Sequence, residues 1–132
     1  MKNLHRVGSS NQPKVDFLAE DATLSISGSS VMETPKAYYL ELINWVKDFT
    51  KVIKKETSVE LAFSELNQKS LKMLLFLCQE LKALEIAGQK VTVYWSFPKE
   101  NAKLKEAGQD LSYLSDLEFQ FISINTLEPT LV

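Results

Sequence analysis

The chain has 132 residues, of which 45% are hydrophobic, so it can fill one hydrophobic core of ordinary size. Its 15 basic and 17 acidic residues are spread along the chain and give a formal charge of −2, which argues against a nucleic-acid-binding face. The single cysteine, Cys78, excludes an internal disulfide and favours a reducing, cytoplasmic location, and no apolar run is long enough to predict a membrane-spanning helix.

The first part of the chain predicts a polar arm and a β-hairpin. Residues 1–12 are polar, lack the apolar core of a signal peptide and are expected to form a flexible arm. Apolar side chains alternate with polar ones in residues 14–18 and again in residues 23–27. Two such runs with a short connection are typical of an antiparallel hairpin.

A first helix is predicted over residues 35–54, because apolar side chains recur there at helical spacing. Thr34 stands directly before Pro35, and a hydroxyl residue followed by proline is typical of a helix start. We therefore expect Thr34 to be the N-cap of this helix.

The stretch of residues 58–87 predicts a strand, a polar corner and a long helix. Residues 58–63 form the strand, residues 64–70 the corner, and the helix ends before Gly88. Because the strand leads straight into the helix, the unpaired N–H groups of the helix lie at the carboxyl edge of the sheet. Proteins of the α/β class often bind ligands at this edge.

The long helix is apolar on more than one side. At ~100° per residue, one broad face should pack on the core, formed by Met73, Leu74, Leu77, Cys78, Leu81 and Leu84. Leu75 and Phe76 point elsewhere and are interleaved with Lys72 and Gln79. They either pack on a neighbouring helix or loop, or form, with Lys72 and Gln79, a partner-binding patch beside the corner.

The last part of the chain predicts two more strands and a short helix. Residues 91–97 alternate apolar and polar side chains, and residues 118–124 do the same. Between them, residues 99–107 form a polar helix that Gly108 is expected to stop. Residues 125–132 are expected to be a tail.

The element order β-β-α-β-α-β-α-β predicts a single α/β domain over residues 13–124, with a mixed, mostly parallel sheet of about five strands. The strands alternate instead of being apolar throughout, so we expect the helices to cover mainly one face of the sheet. Residues 58–63 and 91–97 should be parallel neighbours.

The residues argue against an enzyme. The single histidine, His5, lies in the predicted arm, so neither a histidine-based triad nor a typical zinc site can be assembled. Cys78 lies on the core face of a helix, whereas a reactive thiol needs exposure. The four glycines are scattered, which excludes a phosphate-cradling loop. We therefore expect no catalytic residues, metal or cofactor.

Several segments, in order, resemble one family: Leu24-Ser25-Ile26-Ser27-Gly28-Ser29-Ser30, Glu33, Trp45, Leu66-Asn67-Gln68-Lys69-Ser70-Leu71-Lys72, Gly88, Val91-Thr92-Val93-Tyr94-Trp95, Glu106-Ala107-Gly108-Gln109-Asp110, Phe119 and Phe121. Together they resemble the SiaC-like bacterial regulatory phosphoproteins over roughly residues 13–124. The resemblance implies a STAS-like sandwich related to anti-sigma factor antagonists. It also implies three protein partners: a serine/threonine kinase and a PP2C-type phosphatase that set the phosphorylation state, and a diguanylate cyclase that binds the unphosphorylated form.

The resemblance places the regulatory positions at Asn67, Gln68, Lys69 and Ser70. The family's phosphoacceptor falls on Gln68, which cannot be phosphorylated, while Lys69 replaces another hydroxyl residue and Ser70 matches. Asn67 is also explained as a helix N-cap, and Ser70 as a first-turn helix residue. Two functions stay open: a partner-switching regulator that docks through the corner and the long helix, or a degenerate paralogue or small-ligand or protein-binding module that keeps the fold without the phosphoswitch.

Overall fold

The computed structural model describes residues 1–125, which form one mixed sheet and three helices. The strands are β1 (Leu4–Arg6), β2 (Lys14–Leu18), β3 (Thr23–Ser30), β4 (Thr57–Leu66), β5 (Val91–Pro98) and β6 (Phe119–Ile124). The helices are α1 (Lys36–Val52), α2 (Gln68–Ile86) and α3 (Ala102–Ser115). Residues 126–132, which include most of the predicted tail, lie outside the described part.

The six strands lie in the sheet in the same order as in the chain. β1, β2 and β3 are antiparallel neighbours, and β3 to β6 are parallel neighbours. This confirms the predicted hairpin and the parallel pairing of residues 58–63 with residues 91–97, in which Val59 lies opposite Val93 and Leu61 opposite Trp95. Crossovers of one hand that all step in the same direction place their helices on the same face of the sheet.

The core lies between that face and the helices. It is built from alternate strand residues, among them Val15, Phe17, Leu24, Ile26, Val59, Leu61, Val93, Trp95 and Phe119, all of them buried. On the opposite face Glu60, Tyr94 and Gln120 are exposed. The predicted one-sided helix cover is therefore confirmed, and the alternating strand pattern follows from it.

The beginning of the chain differs from its prediction as a flexible arm. Leu4–Arg6 pairs with β2, so the sheet has six strands and not five. Side chains fasten this segment: Trp45 Nε1–H donates to the Lys2 carbonyl at 2.9 Å, and Arg6 forms an ion pair with Glu41. A strand of three residues is too short for an alternating pattern to reveal it.

The start of α1 also differs from prediction. Pro35, not Thr34, occupies the N-cap position, and no side chain donates or accepts a capping hydrogen bond there. The helix then runs from Lys36 to Val52 and buries Tyr39, Leu42, Val46 and Phe49, which recur at helical spacing, whereas Val52 is 59% exposed. The existence of α1 was predictable, whereas its cap was not.

The third helix is longer than predicted because Gly108 lies inside it. A Cβ atom at Gly108 would lie 2.5 Å from Nε1 of Trp95, so the glycine allows α3 to pack directly on the buried indole. Trp95 Nε1–H donates to the Leu104 carbonyl at 2.9 Å. The helix ends instead at Ser115, where Asp116 adopts a left-handed backbone conformation.

Within residues 1–125, none of the helices combines the length and the apolar content needed to span a membrane.

Candidate functional site

The corner between β4 and α2 is held by Asn67. Its side-chain Oδ1 accepts a hydrogen bond from the Ser70 N–H at 2.9 Å, which is the expected N-cap contact. Its Nδ2 donates to the Met32 carbonyl at 2.8 Å, and its backbone N–H donates to the Ser30 carbonyl at 3.1 Å. Asn67 therefore fastens the start of α2 to the end of β3 and to the segment that follows it.

Ser70 lies beneath this corner, fully buried. Its Oγ accepts a hydrogen bond from Ser30 Oγ at 2.9 Å, and Ser30 Oγ is also 2.7 Å from the Tyr39 hydroxyl. Burial raises the pKa of Tyr39 far above its usual value, so all three hydroxyl groups are neutral. The Ser70 hydroxyl thus faces the protein interior, and a modifying enzyme could reach it only if α2 moved.

Gln68 and Lys69 are the first two residues of α2, and both are exposed. Their backbone N–H groups have no partner within the helix and form its positive end. No acidic residue lies in the first turn to offset this partial charge. Of the four predicted regulatory residues, the structure presents Gln68 and Lys69 at the surface, half-buries Asn67 and buries Ser70.

A cleft runs from this corner along the groove between α2 and α3. Its first part, of about 240 Å³, lies between the end of β4 and the start of α3, where Gln68 and Leu71 face Lys103 and Ala107. Its second part, of about 280 Å³, has the lining residues Gln68, Leu71, Lys72, Leu75, Asp110, Leu111 and Leu114. Gln68 and Leu71 line both parts, so the residue at the predicted phosphoacceptor position lies where the two parts adjoin.

The α3 wall of this cleft was not predicted, because the third helix was expected to end before Gly108. Leu104, Ala107, Leu111 and Leu114 follow one another at helical spacing, and this pattern could have revealed the longer helix. Asn101 caps α3 by accepting a hydrogen bond from the Leu104 N–H at 3.0 Å. The helix was predicted to end at Gly108 because glycine often ends helices, although the apolar spacing continues beyond this residue.

The predicted patch on α2 is divided between two environments. Leu75 is half-buried and lines the cleft toward α3, so it packs partly on a neighbouring helix, which was one of the two predicted alternatives. Phe76 is 41% exposed, and Lys72 and Gln79 are exposed beside it. A partly exposed aromatic ring between a cation and an amide is a surface of the kind that binds proteins.

The corner and the cleft offer a surface for binding. Burial raises the pKa of the Cys78 thiol to about 12, and the side chain is fully buried, so it is not a nucleophile. Within residues 1–125, no three His, Cys, Asp or Glu side chains are grouped so that they could hold a metal ion. What the corner and cleft can do chemically is bind a partner by shape, apolar contact and hydrogen bonds.

Residues 7–124 match the model of the SiaC family regulatory phosphoproteins. The chain belongs to the SiaC family. A protein of Pseudomonas aeruginosa (strain UCBPP-PA14) with no described function is 23% identical over 121 residues, which are 92% of this chain and 94% of the relative. The corner, the cleft and the α2 patch all lie within the matched residues.

Solved SiaC structures have the same fold. SiaC of Pseudomonas aeruginosa superimposes with a TM-score of 0.80 at 23% identity, over 94% of this chain and 100% of that one. The crystal structure of the diguanylate cyclase SiaD in complex with its activator SiaC, also from Pseudomonas aeruginosa, matches with a TM-score of 0.84 at 21% identity, over 92% of this chain and 99% of the matching chain. At these identities the likeness establishes the six-stranded, three-helix architecture.

Proposed function

We propose that this SiaC-family protein is a non-enzymatic regulator that binds a diguanylate cyclase and controls its activity. The observation that carries the proposal is the family match over residues 7–124. A structure with the same fold is that of SiaC bound, as activator, to the cyclase SiaD, which supports the same class of partner here. The single buried cysteine agrees with a cytoplasmic location, where we place this interaction.

The cyclase docks, in this proposal, on the exposed start of α2 and the adjoining patch. Gln68 and Lys69 present hydrogen-bonding groups at the helix start, and Lys72, Phe76 and Gln79 continue the surface along the helix. Leu75 adds apolar area from inside the cleft. Aromatic side chains surrounded by polar groups supply most of the binding energy in many protein interfaces.

Gln68 sets the regulatory state of this surface. A phosphoryl group at the first residue of α2 would add nearly two negative charges in the middle of the docking surface. The amide of Gln68 cannot accept that group, and the Ser70 hydroxyl is buried. We propose that a serine/threonine kinase and a PP2C-type phosphatase recognise this fold, but that the chain stays in the uncharged, cyclase-binding form in their presence.

The test measures cyclase binding and cyclic-di-GMP production with the purified diguanylate cyclases of the source organism. Phe76→Ala should weaken binding by about tenfold or more, because a truncated interface aromatic costs roughly 1–3 kcal/mol. It should lower folding stability by about 1–2 kcal/mol, less than a fully buried phenylalanine would cost, because the ring is 41% exposed.

Ile86→Ala is the matched control, since Ile86 is 76% exposed on the same helix, about 15 Å further along it. This variant should bind as the wild type does. If Phe76→Ala and Ile86→Ala bind equally well, the α2 patch is not the docking surface. If no cyclase binds the wild type at all, the degenerate-paralogue or ligand-binding function replaces the regulator.

Gln68→Glu and Gln68→Ala separate charge from shape at the corner. Glutamate should weaken cyclase binding about three- to tenfold, because it brings one charge where a phosphate brings nearly two. Alanine should leave binding within about twofold, because it adds no charge.

Incubation of the wild type with ATP and the kinase, followed by mass spectrometry, should find no phosphate at residues 67–70. Stoichiometric phosphate on Ser70 would contradict the uncharged, locked state.

A further inference from the structure

The two edges of the sheet differ in how they are protected. The β1 edge is three residues long, and its polar side chains have partners: His5 Nδ1 lies 2.6 Å from Asp16 Oδ1, and Arg6 forms an ion pair with Glu41. The β6 edge is six residues long, has the sequence Phe-Gln-Phe-Ile-Ser-Ile, and carries no charge and no proline. Within residues 1–125 no strand pairs with its outer side. A long, uncharged edge strand of this kind is suited to pairing with another strand.

Two hydrogen bonds show which backbone groups of β6 point outward. The Ile124 carbonyl accepts from the Lys99 N–H at 2.8 Å, so Ile124 faces β5. Because successive residues of a strand point their backbone groups to opposite sides, Phe119, Phe121 and Ser123 face the outer edge. The Phe119 N–H agrees with this, since it donates at 3.3 Å to Ser112 Oγ of α3 and not to β5. The backbone groups of Phe121 and Ser123 remain directed outward.

This pattern is complementary to itself. In an antiparallel pair of two β6 strands with Phe121 opposite Phe121, the outward groups of Phe121 bond across the two-fold axis, and each Ser123 N–H donates to the Phe119 carbonyl of the other copy. The same register keeps the helix-facing residues of both copies on one face of a continuous sheet. On the open face it places Ile122, which is 42% exposed, diagonally next to its own counterpart.

The charges at the ends of β6 fit the same register. Glu118 precedes the strand, and Lys99 is fastened to its last residue, Ile124. Both side chains are exposed, and neither forms an ion pair within residues 1–125. In an antiparallel pair Glu118 lies opposite Ile124 of the second copy, and Lys99 of that copy lies one strand further away. The two backbones are then about 10 Å apart, a distance that a lysine and a glutamate side chain can span, so opposite charges are within reach of each other at both ends of the interface.

We propose that two copies of this chain associate through β6 and form one continuous twelve-stranded sheet (twice the six strands of one copy). The occupant of the edge is a second copy because charge, hydrogen-bond direction and apolar pairing all match under two-fold symmetry. The interface is separate from the docking surface on α2, so it does not depend on the proposed regulatory function.

Sedimentation velocity of the full chain over about 10–500 µM tests the association, since an interface built on one six-residue strand from each copy is small and is expected to bind weakly. Ser123→Pro should raise the dissociation constant about tenfold or more, because it removes one intermolecular donor from each copy. It leaves the bonds to β5 intact, since the Ser123 N–H points outward. Ser123→Ala is the matched control, because it keeps the N–H and should keep the dimer.

Charge reversal gives a second test that does not rely on a proline. Glu118→Lys alone and Lys99→Glu alone should each weaken the dimer, and the double variant should restore it to within about threefold of the wild type. If the wild type dimerises and none of these variants changes its dissociation constant, the dimer forms through a surface other than the β6 edge. If the wild type is monomeric at every concentration, no second copy occupies the edge. This holds even if the Phe121 and Ser123 amides are protected from hydrogen exchange, because something other than a second copy would then protect them.

Discussion

Gly108 is the position at which a single added methyl group should reveal how α3 is held. A Cβ atom there would lie 2.5 Å from Nε1, 2.6 Å from Cδ1 and 2.7 Å from Cε2 of Trp95. The indole has no exposed surface and donates its N–H to the Leu104 carbonyl at 2.9 Å. Neither the ring nor the helix can therefore yield without loss of contacts or of this hydrogen bond.

The expected effect of Gly108→Ala is the sum of opposing contributions. Replacing glycine by alanine inside a helix stabilises it by about 1 kcal/mol. Overpacking of a filled core costs about 1–3 kcal/mol, and a strained or lost indole hydrogen bond costs about 1 kcal/mol more. We therefore expect a net destabilisation of about 1–3 kcal/mol, although helix propensity alone predicts a gain.

Urea denaturation followed by circular dichroism measures this change, and the melting temperature should fall by roughly 4–11 °C. The same substitution should also be made in a Trp95→Phe variant, because this variant lacks the ring atoms that the new methyl group would meet. In that background Gly108→Ala should cost at least about 1 kcal/mol less than in the wild type. An equal cost in both backgrounds, or a stabilised Gly108→Ala protein, would refute the packing argument.

Three further changes test the corner and the core. Asn67→Ala should lower the free energy of unfolding by about 1–2 kcal/mol in urea denaturation, because it removes the α2 cap and the bond to Met32, and a loss below about 0.3 kcal/mol would contradict that role. Gln68→Glu should raise stability by about 0.3–1 kcal/mol at low salt, because a carboxylate in the first turn complements the helix dipole, and high salt should remove the gain. Cys78 should react with a thiol reagent at pH 8 only as fast as the chain unfolds. Because burial raises its pKa to about 12, the unfolded chain releases the thiol proton first, so stability should fall as the pH rises above the unfolded value of about 8.5.

The sequence by itself determined the elements whose patterns are long and regular. Alternation over β4 and β5 predicted strands with one buried face, and the helical spacing in α1 and α2 predicted which side chains lie in the core. Asn67 was recognisable as a cap because its position before an apolar helix is a local signal. These features depend on residues within a few turns or strand repeats of one another.

Tertiary structure decided the features that depend on distant segments. Leu4–Arg6 is a strand because β2 and α1 offer partners to it, and its three residues carry too little pattern to show this. Gly108 sits inside α3 because Trp95, from another element, fills the space that a side chain would need. A local rule that glycine ends helices cannot register a contact made across the core.

The same distinction applies to the candidate site. The corner was predictable as the junction of a strand and a helix, whereas the helical spacing left open whether Phe76 packs on a neighbouring segment or is exposed, as it is in the structure. That Ser70 faces inward depends on Ser30, which lies 40 positions earlier in the chain and meets it only because β3 and β4 are neighbours. The cleft exists only where α3 packs beside α2. Sequence patterns record which side of an element is buried, whereas the meeting of two elements is settled by packing of the whole chain.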